Sequence, residues 1–199
     1  MARRPWQCYR RWKRPPYQKK RSRSHRKEYV RGGAEPKIRI FDSANRKKPL
    51  KEWDLSIGLR ARHRVQISHF ALEAVRASIN RRLLKKIGRM NFHIRIRPHP
   101  WQVYRENKMM AFAGADRLQS GMRGSFGRCI GTCARVRANQ PIVEVFCDYK
   151  NKAHVIRALK IATYKIPTKC RMVILRVNDR QYLGKLGLPL SLERPLPQQ

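Results

Sequence analysis

Acidic residues are scarce in this chain: 12 Asp and Glu stand against 48 Lys and Arg in 199 residues, a formal charge of +36. That excess of one sign excludes an ordinary mixed-charge surface. Self-repulsion at this level destabilises a compact monomer unless a polyanion offsets it. So few carboxylates also leave little room for the acid and base pair of an active site. No apolar run approaches the ~20 residues that a membrane-spanning helix requires, and no apolar leader opens the chain. The Arg-rich start has the composition of an organelle-import peptide, but Pro5, Pro15 and Pro16 would break the amphipathic helix of such a signal.

Further absences narrow the chemistry. The five cysteines (Cys8, Cys129, Cys133, Cys147 and Cys170) are an odd set with no CxxC among them, and they read as reduced cytosolic thiols rather than a disulfide framework. On a strand, Cys129 and Cys133 would share a face but lie about 13 Å apart, at ~3.3 Å per residue, too far to hold one zinc. A phosphate-binding GxxxxGK[ST] is missing, because Gly121-Met122-Arg123-Gly124-Ser125 has no such lysine. Ser120, His99 and Asp116 could be assembled into a triad on paper, yet no nucleophile elbow surrounds the serine. His93 and His99 flank a strand end and read as RNA-facing or capping. These absences predict no enzyme, no metal and no cofactor, and no internal repeat is visible.

What is present points to nucleic acid. A hydrophobic fraction of 41% supports a real core, so the chain is more than a basic tail. An anionic membrane surface is the lesser alternative for the charge, and a free RNA-processing enzyme is the rival for the function. Residues 1–33 form a basic arm with 13 Lys or Arg and one acid, Glu28. Trp6, Tyr9, Trp12 and Tyr17 are interleaved with those cations. Cations neutralise phosphates while aromatic faces stack on exposed bases. The residues expected to meet RNA here are Arg3, Arg4, Trp6, Tyr9, Arg10, Arg11, Trp12, Lys13, Arg14, Lys19, Lys20 and Arg21. The arm should be extended and become ordered only on RNA.

Residues 34–178 should form the folded domain, with 179–199 as an irregular, proline-rich tail. "PKIRIF" alternates at Ile38 and Ile40 and predicts a short strand. From Ser68 to Ile87, Leu72, Val75, Ile79, Leu83 and Ile87 recur at helical spacing, with Ser68 as N-cap and Gly88 as stop. Arg76, Arg81, Arg82, Lys85 and Lys86 occupy its outer face. "NFHIRIR" predicts a strand with Phe92, Ile94 and Ile96 inward and His93, Arg95 and Arg97 on a cationic outer face. "WQVYRENKMM" predicts an irregular strand, and "RCIGTCARV" and "IVEVFCD" two more. Asn151 should cap a helix to about Tyr164 on Val155, Leu159 and Ala162, and "RMVILRV" should be a last, apolar-cored strand. Two helices among strands in hairpin-like order predict an α+β domain with an antiparallel or mixed sheet.

The stretch "AGADRLQSGMRGSFG" has neither periodicity. Its four glycines let the backbone approach a surface closely, while Arg117 and Arg123 supply phosphate contacts. A structureless loop this long is usually functional or disordered, and it should project outward because buried loop backbone is costly.

Together, "RRPWQCYR", "PKIRIFD", "FHIRIRPHP", "NKM" and above all "AGADRLQSGMRGSFG" resemble the large-subunit ribosomal protein family numbered sixteen in bacteria and called L-ten-e in archaea and eukaryotes. The likeness runs from Ala2 to about Pro167, and the N-terminus is similar to the archaeal and eukaryotic form. The resemblance implies a hammerhead-type α+β fold on large-subunit rRNA, between the peptidyl transferase centre and the tRNA elbow region. Arg95 and Arg97 of the cationic strand face and His99 beyond its end are expected among the rRNA contacts. The resemblance also implies that Ala111 to Gly124, within a loop of 111–125, reaches toward the acceptor end of P-site tRNA. The tRNA-proximal residues would be Lys108, Ala113, Gly114, Ala115, Asp116, Arg117, Leu118, Gln119, Gly121, Met122, Arg123 and Gly124, with Arg105 fixing the loop's base. Implied partners are rRNA, P-site and A-site tRNA, neighbouring ribosomal proteins and late assembly and export factors, with a cytosolic location after transit through the nucleus. After Pro167 the chain reads "TKCRMVILRVNDRQYLGKLGLPL", which departs from the family pattern.

Overall fold

The computed structural model describes residues 4–12, 30, 35–107 and 122–177. Among these described residues, eight strands and two α-helices are arranged as an α+β fold. In chain order they are β1 (Asp42–Ala44), β2 (Leu55–Ala61), β3 (Val65–Ser68), α1 (His69–Ile87), β4 (Phe92–Ile96), β5 (Gln102–Glu106), β6 (Arg128–Val136), β7 (Pro141–Cys147), α2 (Lys152–Thr163) and β8 (Cys170–Val177). One sheet has the order β1-β4-β7-β2-β8 and the other β3-β6-β5. Every pairing is antiparallel.

Strand alternation builds the core. Across β4, β7 and β2, Phe92 lies opposite Cys147 and Leu55, Ile94 opposite Val145 and Ile57, and Ile96 opposite Val143 and Leu59. All nine are buried and share one face of the sheet. Leu72, Val75, Ile79 and Leu83 of α1, with Val155, Leu159 and Ala162 of α2, complete the same cluster. The start of α1 follows the expected signal: the Ser68 side chain accepts from the Ala71 amide at 3.2 Å. Gly88 ends the helix with φ +78°, a left-handed backbone that glycine adopts at little cost.

Several expectations require correction. "PKIRIF" forms no strand; pairing begins only at Asp42. The Lys37 amide donates to His69 Nδ1 at 2.7 Å instead of to a ladder, and Ile40 is exposed although Ile38 is buried. His93 is not on an open cationic outer face, because Asn45, Asp42 and its cross-strand neighbour Phe146 cover it. Its ring is buried, 2.9 Å from the Asn45 carbonyl oxygen and 3.2 Å from the Asp42 carboxylate. Asn151 makes no side-chain cap; a 3-10 turn at Tyr149–Asn151 leads into α2. The last strand, β8, is an edge rather than an apolar-cored strand, and Met172 on it is exposed. Strands β2 and β3 carried no expectation. Gly58 interrupts the alternation of "LSIGLRA", and it is required there because a Cβ would come within 2.9 Å of the Val143 carbonyl oxygen.

Candidate nucleic-acid interface

The candidate interface begins where residues 4–12 dock on the three-stranded sheet. The Gln66 amide donates to the Arg10 carbonyl at 2.9 Å, and its side-chain amide donates to the carbonyls of Tyr9 and Arg11 at 2.7 and 3.0 Å. The Trp6 indole donates to the Gln66 carbonyl at 2.9 Å. Trp6, Tyr9 and Tyr104 of β5 form a ring cluster with centroids 5.1–5.5 Å apart. Each such pair adds about 0.5–1.5 kcal/mol beyond area burial. Arg135 lies over the Trp12 ring at 5.5 Å and donates to Gln66 Oε1 at 3.1 Å. Residues 4–12 are therefore packed on the protein and not held out as an extended strand. Trp6 and Tyr9 use their faces on the sheet, while Arg4, Arg10 and Arg11 stay exposed.

Docking reaches the stem of the Gly-rich loop. Arg4 pairs with Glu106 at 3.1 Å, where the Glu106 side chain is nearly buried, and donates to the Asn107 carbonyl at 3.0 Å. From the other side Gly127, at φ +72°, packs so closely that a Cβ would fall 2.5–2.6 Å from the Glu106 and Asn107 backbone. A similar approach at Gly131 admits the Tyr104 ring flat across β6. Both ends of the loop are thus held together at its base, and Met122 and Phe126 beside it are exposed at 69% and 71%. Arg4, Arg10, Arg11, Arg105 and Arg135 surround a groove of about 680 Å³ between the N-terminal segment and this stem. The exposed Phe126 ring stands in the same groove, while Tyr9 and Tyr104, packed on each other, form part of its wall. Cations beside rings suit unstacked nucleotides, with phosphates on the arginines and bases on the rings.

Arg95, Arg97 and His99 gather at a different cleft, with Arg39 and Arg46. Arg95 is tied to Asp42 at 2.9 Å and Arg97 to Glu144 at 2.6 Å. Burial alone would raise the Asp42 carboxyl, but the hydrogen bond and charge of Arg95, followed by those of His93, hold it below its ordinary range. His99 stacks on Phe41 with centroids 4.0 Å apart.

The cysteines do not gather. Cys133 and Cys147 are buried and burial pushes each thiol up to about 12. Among the described residues no three His, Cys, Asp or Glu side chains come together as metal ligands. Of the expected RNA contacts, Arg3, Lys13, Arg14, Lys19, Lys20 and Arg21 lie outside the described residues, as do Lys108, Ala113 to Gln119 and Gly121. Arg105 lines the stem groove and Met122, Arg123 and Gly124 follow the loop. Sequence reasoning missed Arg135, Arg39 and Arg46, and it passed over the cations of "RARHR", 60–64, whose density in a turn was the available signal.

Comparison with known proteins bears on this geometry. The family described as ribosomal protein L16p/L10e matches residues 13–173. The large ribosomal subunit protein uL16 of Drosophila melanogaster is 45% identical over 174 residues, covering 87% of this chain and 77% of that protein. The protein of the same name from Dictyostelium discoideum is 43% identical over the same coverage.

Proposed function

The chain belongs to the L16p/L10e family of ribosomal proteins, and from that membership we propose that it binds rRNA in the large subunit and carries its Gly-rich loop toward tRNA. As a member of the family it is a structural constituent of the ribosome and not an enzyme. The finer reading puts it between the peptidyl transferase centre and the tRNA elbow region, with 111–124 directed at the acceptor end of P-site tRNA and A-site tRNA nearby. Peptide transfer belongs to rRNA in this reading, and the protein positions tRNA. Its partners are rRNA, neighbouring ribosomal proteins and late assembly and export factors. It works in the cytosol after joining the subunit through a nuclear stage. Among the described residues no helix is long and apolar enough to cross a membrane.

The observation that carries the tRNA part is the clamped stem. A loop that must reach a ligand needs its two ends fixed, and here Arg4, Glu106 and Gly127 fix them. The cations of the stem groove give an RNA surface from which such a loop can project. The test is the double variant Arg117→Ala, Arg123→Ala expressed in place of the wild-type chain. Incorporation into large subunits should match wild type while the rate of peptide synthesis falls. Poor incorporation with normal activity in the subunits that do form would overturn the assignment of the loop to tRNA.

A further inference from the structure

A second groove, of about 1180 Å³, opens between the β2–β3 turn, the end of α2 and the start of β8. We propose that it binds the phosphate backbone of a double-helical RNA segment. This deepens the function proposed above and rests on it, because it assigns to that RNA-binding protein a surface for duplex distinct from the stem groove.

Four arguments converge on a polyanion. Arg62, Arg64, Lys160, Lys169 and Arg171 line the groove, and among the described residues no carboxylate does. None of these five side chains belongs to an ion pair among the described residues. Four acids are spent elsewhere, Glu106 on Arg4, Asp42 on Arg95, Glu144 on Arg97 and Asp148 on Lys48. The cations are also held rather than dangling. The Arg62 amide donates to the Lys169 carbonyl at 3.0 Å, and Arg60 stands directly opposite Arg171 in the β2–β8 ladder. Like charges facing across a ladder are unfavourable. Arg60 is not itself in the lining, but its buried Nε has no hydrogen-bond partner among the described residues, so nothing there offsets its repulsion of Arg171 at the groove's edge. A phosphate backbone offsets that cost with charge-assisted hydrogen bonds to the guanidinium groups.

Duplex is favoured over single strand by what the lining lacks. The stem groove has the exposed Phe126 ring, with Tyr9 and Tyr104 in its wall, whereas among the described residues no Phe, Tyr or Trp lines the second groove. Without rings there is no platform for splayed bases, and a duplex presents phosphates and 2′-hydroxyls while keeping its bases stacked. Arg10 and Arg11 line both grooves, so an RNA helix in one can run into unpaired nucleotides in the other.

The test uses the full chain with Arg62→Gln, Arg64→Gln, Lys169→Gln and Arg171→Gln combined. A control carries Arg81→Gln, Arg82→Gln, Lys85→Gln and Lys86→Gln on α1, which removes the same charge. Affinity for a 20-base-pair RNA duplex and for a single strand of equal length is read by fluorescence anisotropy over a salt series, with thermal melts to verify folding. The groove variant should lose on the order of a hundredfold in duplex affinity, with a salt slope shallower by roughly three to four. Its single-strand affinity should change only a few-fold, and the control should keep most duplex binding. Equal losses in groove variant and control, equal losses on both RNAs, or unchanged duplex binding would each overturn the proposal. So would crosslinks from this groove, within assembled subunits, to an acidic protein segment instead of RNA. Co-sedimentation of the wild-type chain with large subunits is read in parallel. Its failure sinks the ribosomal reading and leaves the duplex result standing, whereas co-sedimentation with unchanged duplex binding sinks the groove alone.

Discussion

Gly127 holds its position for two reasons that add. Its φ of +72° is a conformation that costs other residues of order 1–3 kcal/mol, and a Cβ would meet backbone atoms of Glu106 and Asn107 at 2.5–2.6 Å, which cannot swing away. Gly124 shares the positive φ but has nothing within 4 Å. Gly127→Ala should therefore lower the melting temperature by several degrees, at about 2–4 °C per kcal/mol for a chain of this size, and Gly124→Ala by distinctly less. Equal shifts in the two melts would refute the close approach at the stem. Asp42 allows a prediction of a different kind. Its carboxyl is held below 3.8 chiefly by Arg95 against the opposing effect of burial. A depressed carboxyl stabilises the fold at pH above its unfolded value, and the contribution is lost as pH falls through the folded value. Asp42→Asn should be less stable than wild type at pH 7, and the difference should begin to shrink as pH falls through about 3.8 and vanish only below the lower, folded value. Urea melts across that range would show a constant difference if Asp42 contributed only packing.

At the scale of elements, the N-terminal segment acts as a brace for the loop stem. Arg4 is half exposed, but its partner Glu106 is nearly buried, so removing the cation leaves a carboxylate with little water and without its ion-pair partner. Arg4→Ala should cost about 1–2 kcal/mol and speed amide exchange in β5 without touching α1. Uniform exchange across both elements would show that the segment braces nothing. The elements differ in how plainly the sequence announces them. Helix α1 was legible because its core stripe, Ser68 cap and Gly88 stop agree with one another. Strands β6 and β7 were legible from their apolar runs. "PKIRIF" misled because alternation over six residues is satisfied equally by a loop whose amide bonds to a side chain, here His69. His93 misled because period two tells which residues share a face but not whether the other face is covered, and the covering came from Asn45, Asp42 and Phe146, far away in sequence. The rings of the arm were read as free for bases, while Tyr104, 95 to 98 residues away, takes up Trp6 and Tyr9.

For the molecule as a whole, the dominant quantity is a formal charge of +36 on a scaffold whose core is ordinary. The charge and the loop motif made the RNA partner and the family readable from the sequence, because both are local properties of composition and order. The grooves were not readable, since Arg10, Arg105 and Arg135 meet only after β3, β5 and β6 pair, and Arg62 reaches Lys169 only after β2 and β8 do. A protein with this charge is stabilised by the polyanion it binds, so its normal state is inside a ribonucleoprotein. The measurement that tests this most directly is quantitative mass spectrometry of the chain across a sucrose gradient of a gently prepared lysate. The account predicts about one copy per large-subunit rRNA, equally in free subunits and translating ribosomes. Confinement to precursor particles, or a small fraction of one copy, would contradict it and would mark the chain as a visitor to assembly.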